Sequence, residues 1–175
     1  LLYELNTPAF KIASFELTDL PLIAHVAKKK KPMLISTGMS NHNEIAEALE
    51  IARINGCDEI LLFHCISSYP APTQEANIRS IQFLKKEFNV EIGLSDHTLD
   101  NTAAITAVAL GAVAIEKHFI LDKKNRSPDS DFSINPNQLS DVVKVTQDCW
   151  KSLGSKDLKR TDLEIKNKIF RRSLY

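Results

Sequence analysis

Two histidines stand out, His97 in Ser95-Asp96-His97 and His118 in Glu116-Lys117-His118. Each follows an apolar run of strand character and opens the next loop. Two neutral imidazoles at neighbouring strand ends can meet at one divalent ion such as Mn, Fe, Co or Zn. A single histidine so placed more often caps its strand with a loop hydrogen bond. Its repetition in two like contexts favours metal ligation. Lys11, Ser36, Ser67 and Ser95 form a second set, at four different strand ends. A phosphate or carboxylate needs a cation and several hydroxyl or N–H donors from different directions. Taken singly, Lys11 could instead carry its ammonium out to solvent, and the serines could cap turns. The acid candidates are Glu16, Glu116, Asp96 and Asp129. Strand alternation puts Glu116 and His118 on one face and Lys117 on the other. Glu116 is then a metal-side ligand, a general base, an orienter of His118, or a structural partner of Lys11. Asp129 lies in a polar loop suited to substrate hydroxyls, or simply solvated.

These residues need elements to hold them. Strands are predicted over Ala9–Ser14, Pro32–Thr37, Glu59–Cys65, Val90–Ser95 and Ala112–Phe119. Between and after them, helical spacing of apolar residues covers Leu17–Lys31, Asn43–Asn55, Ala76–Phe88, Asn101–Leu110 and Pro136–Leu153. Gly56, Gly111 and Gly154 stand where helices stop. Strand starts recur roughly every 25 to 30 residues, the length of a βα unit. The strands are continuous apolar runs, as expected when helices cover a parallel sheet. The class is parallel α/β, either an open doubly wound sheet or a barrel. Polar residues close every strand, which favours a barrel whose C-terminal strand ends converge on one site. No Gly-rich phosphate loop is present to favour a nucleotide-binding open sheet.

The composition agrees. The chain has 175 residues, with 22 Lys plus Arg against 22 Asp plus Glu, so the formal net charge is zero. That balance disfavours a nucleic-acid partner. No apolar run approaches the ~20 residues of a membrane helix, and no secretory leader is legible. The three cysteines, Cys57, Cys65 and Cys149, form no Cys-x-x-Cys pattern, which suits reduced thiols in a cytoplasm. Lys28–Lys31 reads as a solvated helix end, and 155–175 as a charged linker.

The strand-end strings are long enough to carry a resemblance. Lys11-Ile12-Ala13-Ser14-Phe15-Glu16, Ile35-Ser36-Thr37-Gly38-Met39, His64-Cys65-Ile66-Ser67-Ser68-Tyr69-Pro70-Ala71-Pro72, Gly93-Leu94-Ser95-Asp96-His97-Thr98 and Ile115-Glu116-Lys117-His118-Phe119 resemble the sialic acid synthase family. Pro128-Asp129-Ser130, Phe132-Ser133 and Arg171-Arg172-Ser173-Leu174 extend the match. The family condenses phosphoenolpyruvate with an amino-sugar aldehyde and releases phosphate. The wording of Lys11–Glu16, with Asn77-Ile78-Arg79, is nearest its pseudaminic acid branch; the N-acetylneuraminate and legionaminate branches are the alternatives.

The resemblance implies site roles. His97 and His118 would hold Mn²⁺ or Mg²⁺, with Glu116 close by. Lys11, Ser14, Ser36, Ser67 and Ser95 would bind phosphoenolpyruvate. Glu16 and Asp129 would hold the sugar, and Tyr69 would line the pocket. It also implies a cytoplasmic homodimer for the full-length enzyme, with no nucleic acid or membrane partner. The fold expected is the C-terminal five βα units of a TIM (β/α)8 barrel over 1–154, the first three units missing. Residues 155–175 would then lead toward a missing antifreeze-like domain. Asp100, Ile66 and Ser127 depart from the family's usual Gly, Thr and Gly. Loop changes of this kind tune a site without removing its groups. A chain lacking three units is expected to be an inactive fragment. The rivals are a 3-deoxy-octulosonate or heptulosonate phosphate synthase, whose strings are not seen, and a non-catalytic remnant.

Overall fold

The computed structural model describes residues 2–122, 124 and 127–171. Among these described residues, five strands lie in one parallel sheet in the order β1-β2-β3-β4-β5. They are β1 (Phe10–Ile12), β2 (Met33–Ser36), β3 (Ile60–His64), β4 (Glu91–Ser95) and β5 (Ile115–Glu116). Helices α1 (Leu20–Ala27), α2 (His42–Ile54), α3 (Ser80–Phe88) and α4 (Thr102–Ala109) link successive strands, and α5 (Pro136–Ser152) follows β5. The result is an α/β half-barrel. Because every strand runs the same way, all C-terminal strand ends open on one side.

Local signals explain the elements. Asn41 caps α2 by accepting the Asn43 and Glu44 N–H groups, while Glu44 accepts the Asn41 N–H at 2.8 Å. Asn135 and Gln138 make the same reciprocal cap on α5, with Pro136 at its first turn. Each cap contributes about 1 kcal/mol. Gly56 (φ 95°) and Gly111 (φ 98°) end α2 and α4 in left-handed backbone that a Cβ would penalise. The sheet face toward the helices is buried, while on the other face Lys11 and Glu91 are exposed and Leu34 and Leu61 half-buried. Ile12, Met33, Ile35, Leu62 and Ile92 are among the largest fully buried side chains, and Ile23, Leu49 and Ile81 seal them from the helical layer.

Two expectations are corrected. The fifth strand is only Ile115–Glu116 rather than Ala112–Phe119. Val113 and Ala114 still hydrogen-bond to β4, but nothing described pairs with the far edge, and Phe119 turns to bridge Ile134. The third helix starts at Ser80, not Ala76, because Thr73–Glu75 is a separate 3-10 turn and Asn77 takes a positive φ of 44°. Within the charged tail, Thr161 caps a short helix, α6 (Asp162–Asn167). Within the final Arg-Arg-Ser-Leu string only Arg171 is described; residues 172–175 lie outside the described residues.

The unpaired edge of β5 leaves an apolar groove of about 850 Å³ between that strand and α5, lined by Val113, Phe119, Val143 and Trp150. Under the site, Gly93 makes room for an aromatic ring. A Cβ there would stand 2.5 Å from a Phe63 ring carbon and 2.9 Å from the Ala114 carbonyl oxygen. Phe63 is 4% exposed and has nowhere to go. Gly93→Ala is therefore expected to cost about 1–3 kcal/mol of stability by overpacking. Urea unfolding checks this; an unchanged midpoint would contradict it.

Candidate functional site

The strand ends assemble two adjoining clusters. The first is cationic and hydroxylic. Lys11 Nζ donates to Ser36 Oγ at 2.7 Å and lies 3.7 Å from Glu116 Oε1. It also sits 5.8 Å from the centre of the Phe63 ring. Ser36 and Ser95 are buried, and Ser95 Oγ donates to Glu116 Oε1 at 2.7 Å. Ser14 Oγ accepts the Gly38 N–H at 3.1 Å and touches Cys65 Sγ at 3.1 Å. Ser67 Oγ is buried with no hydrogen-bond partner among the described residues. A Cβ on Gly38 would fall against the Ser14 and Ser67 hydroxyls and the Cys65 sulfur. The missing side chain at Gly38 thus leaves a small polar cradle, and a hydroxyl there lacks a partner. Leaving a buried donor unpaired costs roughly 1–3 kcal/mol, which an anion accepting its O–H would recover.

The second cluster is the histidine pair. Their ring centres are 5.4 Å apart. His97 Nδ1 donates to the Ile66 carbonyl at 2.8 Å, so Nε2 carries the lone pair, 3.5 Å from Ser95 Oγ. Burial pushes the His97 pKa down, opposed by that carbonyl, and nearby His118 lowers it further. His118 Nδ1 lies 3.4 Å from Asp129 Oδ2. Tyr69 packs over His97 with ring centres 4.3 Å apart and reaches Phe132 at 5.2 Å. Burial and nearby negative charge raise the Tyr69 pKa.

The donor chemistry fits a divalent ion. A neutral imidazole with its tautomer fixed by a carbonyl, as at His97, is the usual protein ligand, and the His118 ring is tilted toward it at 5.4 Å between centres. Among the described residues no group of three or more His, Cys, Asp or Glu gathers at one point. The described chain therefore offers two nitrogens, and further ligands would come from substrate, water or elsewhere.

The predicted residues fall into place unevenly. Lys11, Ser14, Ser36, Ser67, Ser95 and Glu116 are brought together, as are His97, His118, Tyr69 and Asp129. Glu116 meets Ser95 and Lys11, whereas the carboxylate beside His118 is that of Asp129. Glu16 accepts the Ala13 N–H at 2.8 Å and caps the 3-10 turn Ser14–Glu16. No hydrogen bond or ion pair among the described residues ties it to either cluster. Asp96 faces away and pairs with Lys117. Gly38, Cys65 and Phe132 escaped residue-by-residue reasoning. A Gly directly after Ser-Thr at a strand end was the one available signal.

His64 ends β3 but is not part of the site. Its ring is buried and donates to the Ala76 carbonyl at 2.8 Å. Burial holds its pKa below the ordinary 6.5. The unfolded chain then binds the proton that the folded chain refuses. Stability is fully present above about pH 6.5 and falls as pH drops below it. His64→Gln is expected to flatten that fall. Urea midpoints at about pH 5 and about pH 8 give the check; an equal acid loss in both proteins would refute it.

Comparisons with known proteins follow the same lines. The profile of the NeuB family matches residues 1–158. An N,N′-diacetyllegionaminic acid synthase of Campylobacter jejuni is 42% identical over 99% of the chain and 53% of its own length. A pseudaminic acid synthase of that species is 40% identical over 95% of the chain and 49% of its own length. The chain thus spans about half the length of the curated relatives it matches. A crystal structure of the N-acetylneuraminic acid (sialic acid) synthetase of Leptospira borgpetersenii, in complex with citrate, superposes with a TM-score of 0.89. It is 32% identical, covering 99% of this chain and 60% of that one. Among the described residues no helix is long and apolar enough to cross a membrane.

Proposed function

The chain belongs to the NeuB family, and on that premise we propose that it carries most of the active site of a nonulosonic acid synthase. The reaction is condensation of phosphoenolpyruvate with an amino-sugar aldehyde. The observation that carries this reading is the polar cradle of Lys11, Ser14, Ser36 and Ser67 beside the His97–His118 pair.

Lys11 and the hydroxyls of Ser14, Ser36, Ser67 and Ser95 bind the phosphate and carboxylate of phosphoenolpyruvate. Charge-assisted bonds from several directions fix its orientation. His97 and His118 hold Mn²⁺ or Mg²⁺, which when bound supplies Lewis-acid polarisation of the aldehyde oxygen. The C3 carbon of phosphoenolpyruvate attacks the aldehyde carbon. Water adds at C2, and phosphate leaves with C–O cleavage. Glu116, hydrogen-bonded by Ser95 and close to Lys11, takes a proton from that water at its carboxylate. Asp129 orients His118 and, with Glu16, holds hydroxyl or amide groups of the sugar. Tyr69 and Phe132 form an aromatic wall against its apolar face. The reading extends to a cytoplasmic homodimer, and to βα units outside this chain that close the sheet between the β5 groove and β1.

The pseudaminic branch is the preferred specificity, on the wording of Lys11–Glu16. The test is phosphate release from phosphoenolpyruvate with Mn²⁺, by a form of the protein long enough to close the sheet. The diacetamido-trideoxy-altrose is expected to support turnover and N-acetylmannosamine is not. Turnover only with N-acetylmannosamine would refute the preference. No release with either sugar, or with the legionaminate precursor, would refute the synthase reading. Rapid turnover by the 175-residue chain alone would show that no further units are needed.

A further inference from the structure

We propose that the buried ion pair between Asp96 and Lys117 is a brace that sets the spacing of His97 and His118. The inference rests on reading those histidines as the metal pair. Lys117 Nζ lies 2.7 Å from Asp96 Oδ2, with side chains only 4% and 1% exposed. Each partner immediately precedes one histidine in sequence. Ser95 pairs with Glu116 in the ladder, and the Asp96 N–H donates to the Glu116 carbonyl at 2.8 Å. Continuing that register sets Asp96 beside Lys117 and His97 beside His118. Alternation then turns the histidines, with Ser95 and Glu116, to the site, and the ion pair to the opposite face.

The pair does more than join two side chains. Lys117 Nζ also donates to the Thr98 carbonyl at 3.0 Å and the Asp100 carbonyl at 3.4 Å. The second carboxylate oxygen of Asp96 accepts both the Thr98 N–H at 2.9 Å and its hydroxyl at 2.8 Å. The ammonium and carboxylate thus grip the backbone just after His97, at Thr98 and Asp100, and tie it to the residue before His118. The last backbone hydrogen bond between these two stretches is the one from Asp96; beyond it the brace takes over. Buried ion pairs seldom out-stabilise apolar packing of the same volume. Their value lies in fixing geometry, and here the geometry fixed is a ligand separation. Asp96 and Lys117 are positioning residues.

Lys117→Met keeps the apolar stem and removes the ammonium, while Asp96 keeps its Thr98 bonds. Lys117→Arg keeps the charge. Without metal, the imidazole protons of His97 and His118 are expected to show a nuclear Overhauser cross-peak that Lys117→Met loses and Lys117→Arg keeps. Mn²⁺ affinity, read by electron paramagnetic resonance, is expected to weaken about 10- to 100-fold in Lys117→Met, the usual effect of losing an outer partner of a ligand. If Lys117→Met does not fold, the double variant Asp96→Asn with Lys117→Met carries the same test without an unpaired buried carboxylate. An intact cross-peak in a folded variant overturns the brace. Mn²⁺ binding that is absent in the parent chain, or unchanged by His97→Ala, overturns the metal reading instead, and the cross-peak still decides the brace.

Discussion

Replacing Lys11 with Met is expected to lower phosphoenolpyruvate-dependent kcat/KM by about 10²–10³-fold, the loss seen when one preorganised group facing developing charge is removed. In the proposed reading Lys11 meets the bound anion, and its Nζ donates to the Ser36 hydroxyl. It also lies 3.7 Å from Glu116, whose charge it offsets. Its removal takes away an anion contact and leaves a carboxylate facing the incoming negative substrate. Part of the loss therefore falls on KM and part on kcat. Lys11 is 33% exposed, so the solvent-screened ion pair contributes at most about 1 kcal/mol to stability. Calorimetric titration of phosphoenolpyruvate and steady-state phosphate release measure the two parts. A substrate Kd within about twofold of the parent would exclude Lys11 from the anion site.

Gly38→Ala is expected to have an effect of similar size for a different reason. The new Cβ occupies the cradle itself, against Ser14 Oγ, Ser67 Oγ and Cys65 Sγ. Two of these are hydroxyl tips that can swing aside, so the fold survives. The hydroxyls no longer converge, and a displacement of about 1 Å at such a site is worth about 10²-fold in rate. Gly38 has no positive φ among the backbone exceptions, so backbone strain does not confuse the result. The expected outcome is a near-normal unfolding midpoint with turnover reduced at least about 10²-fold. Unfolding at lower temperature with intact specific activity would mean that the space at Gly38 serves packing alone.

Much of the site was legible as residue types at strand ends, because parallel strands must deliver their C-terminal residues to one side. The histidine pair, Lys11, Ser36 and Ser95 are found where alternation and strand order put them, whereas Ser14 sits in the 3-10 turn after β1 and Ser67 in the loop after β3. Glu16 shows the limit. Its carboxylate type suits a sugar, and only the fold shows that it also accepts the Ala13 N–H three residues back. Asp129 and Glu116 show another. Both are acids near His118 in sequence, and only the fold of the loop after β5 decides that Asp129 sits beside the ring.

The order of apolar runs, the capping residues Asn41 and Asn135, and the glycines that stop α2 and α4 determine by themselves a parallel α/β chain with polar strand ends. They do so because these signals act within one helical turn or one strand. The tertiary structure alone decided which polar groups meet. Lys11 and Ser36 are 25 residues apart, Ser14 and Cys65 are 51 apart, and Asp96 and Lys117 are 21 apart. Such contacts depend on strand register and on how the sheet curves, both set by packing across the whole core. The cradle at Gly38 and the brace behind the histidines are products of that packing; the Ser-Thr-Gly string marks a place for the cradle but not which hydroxyls meet there.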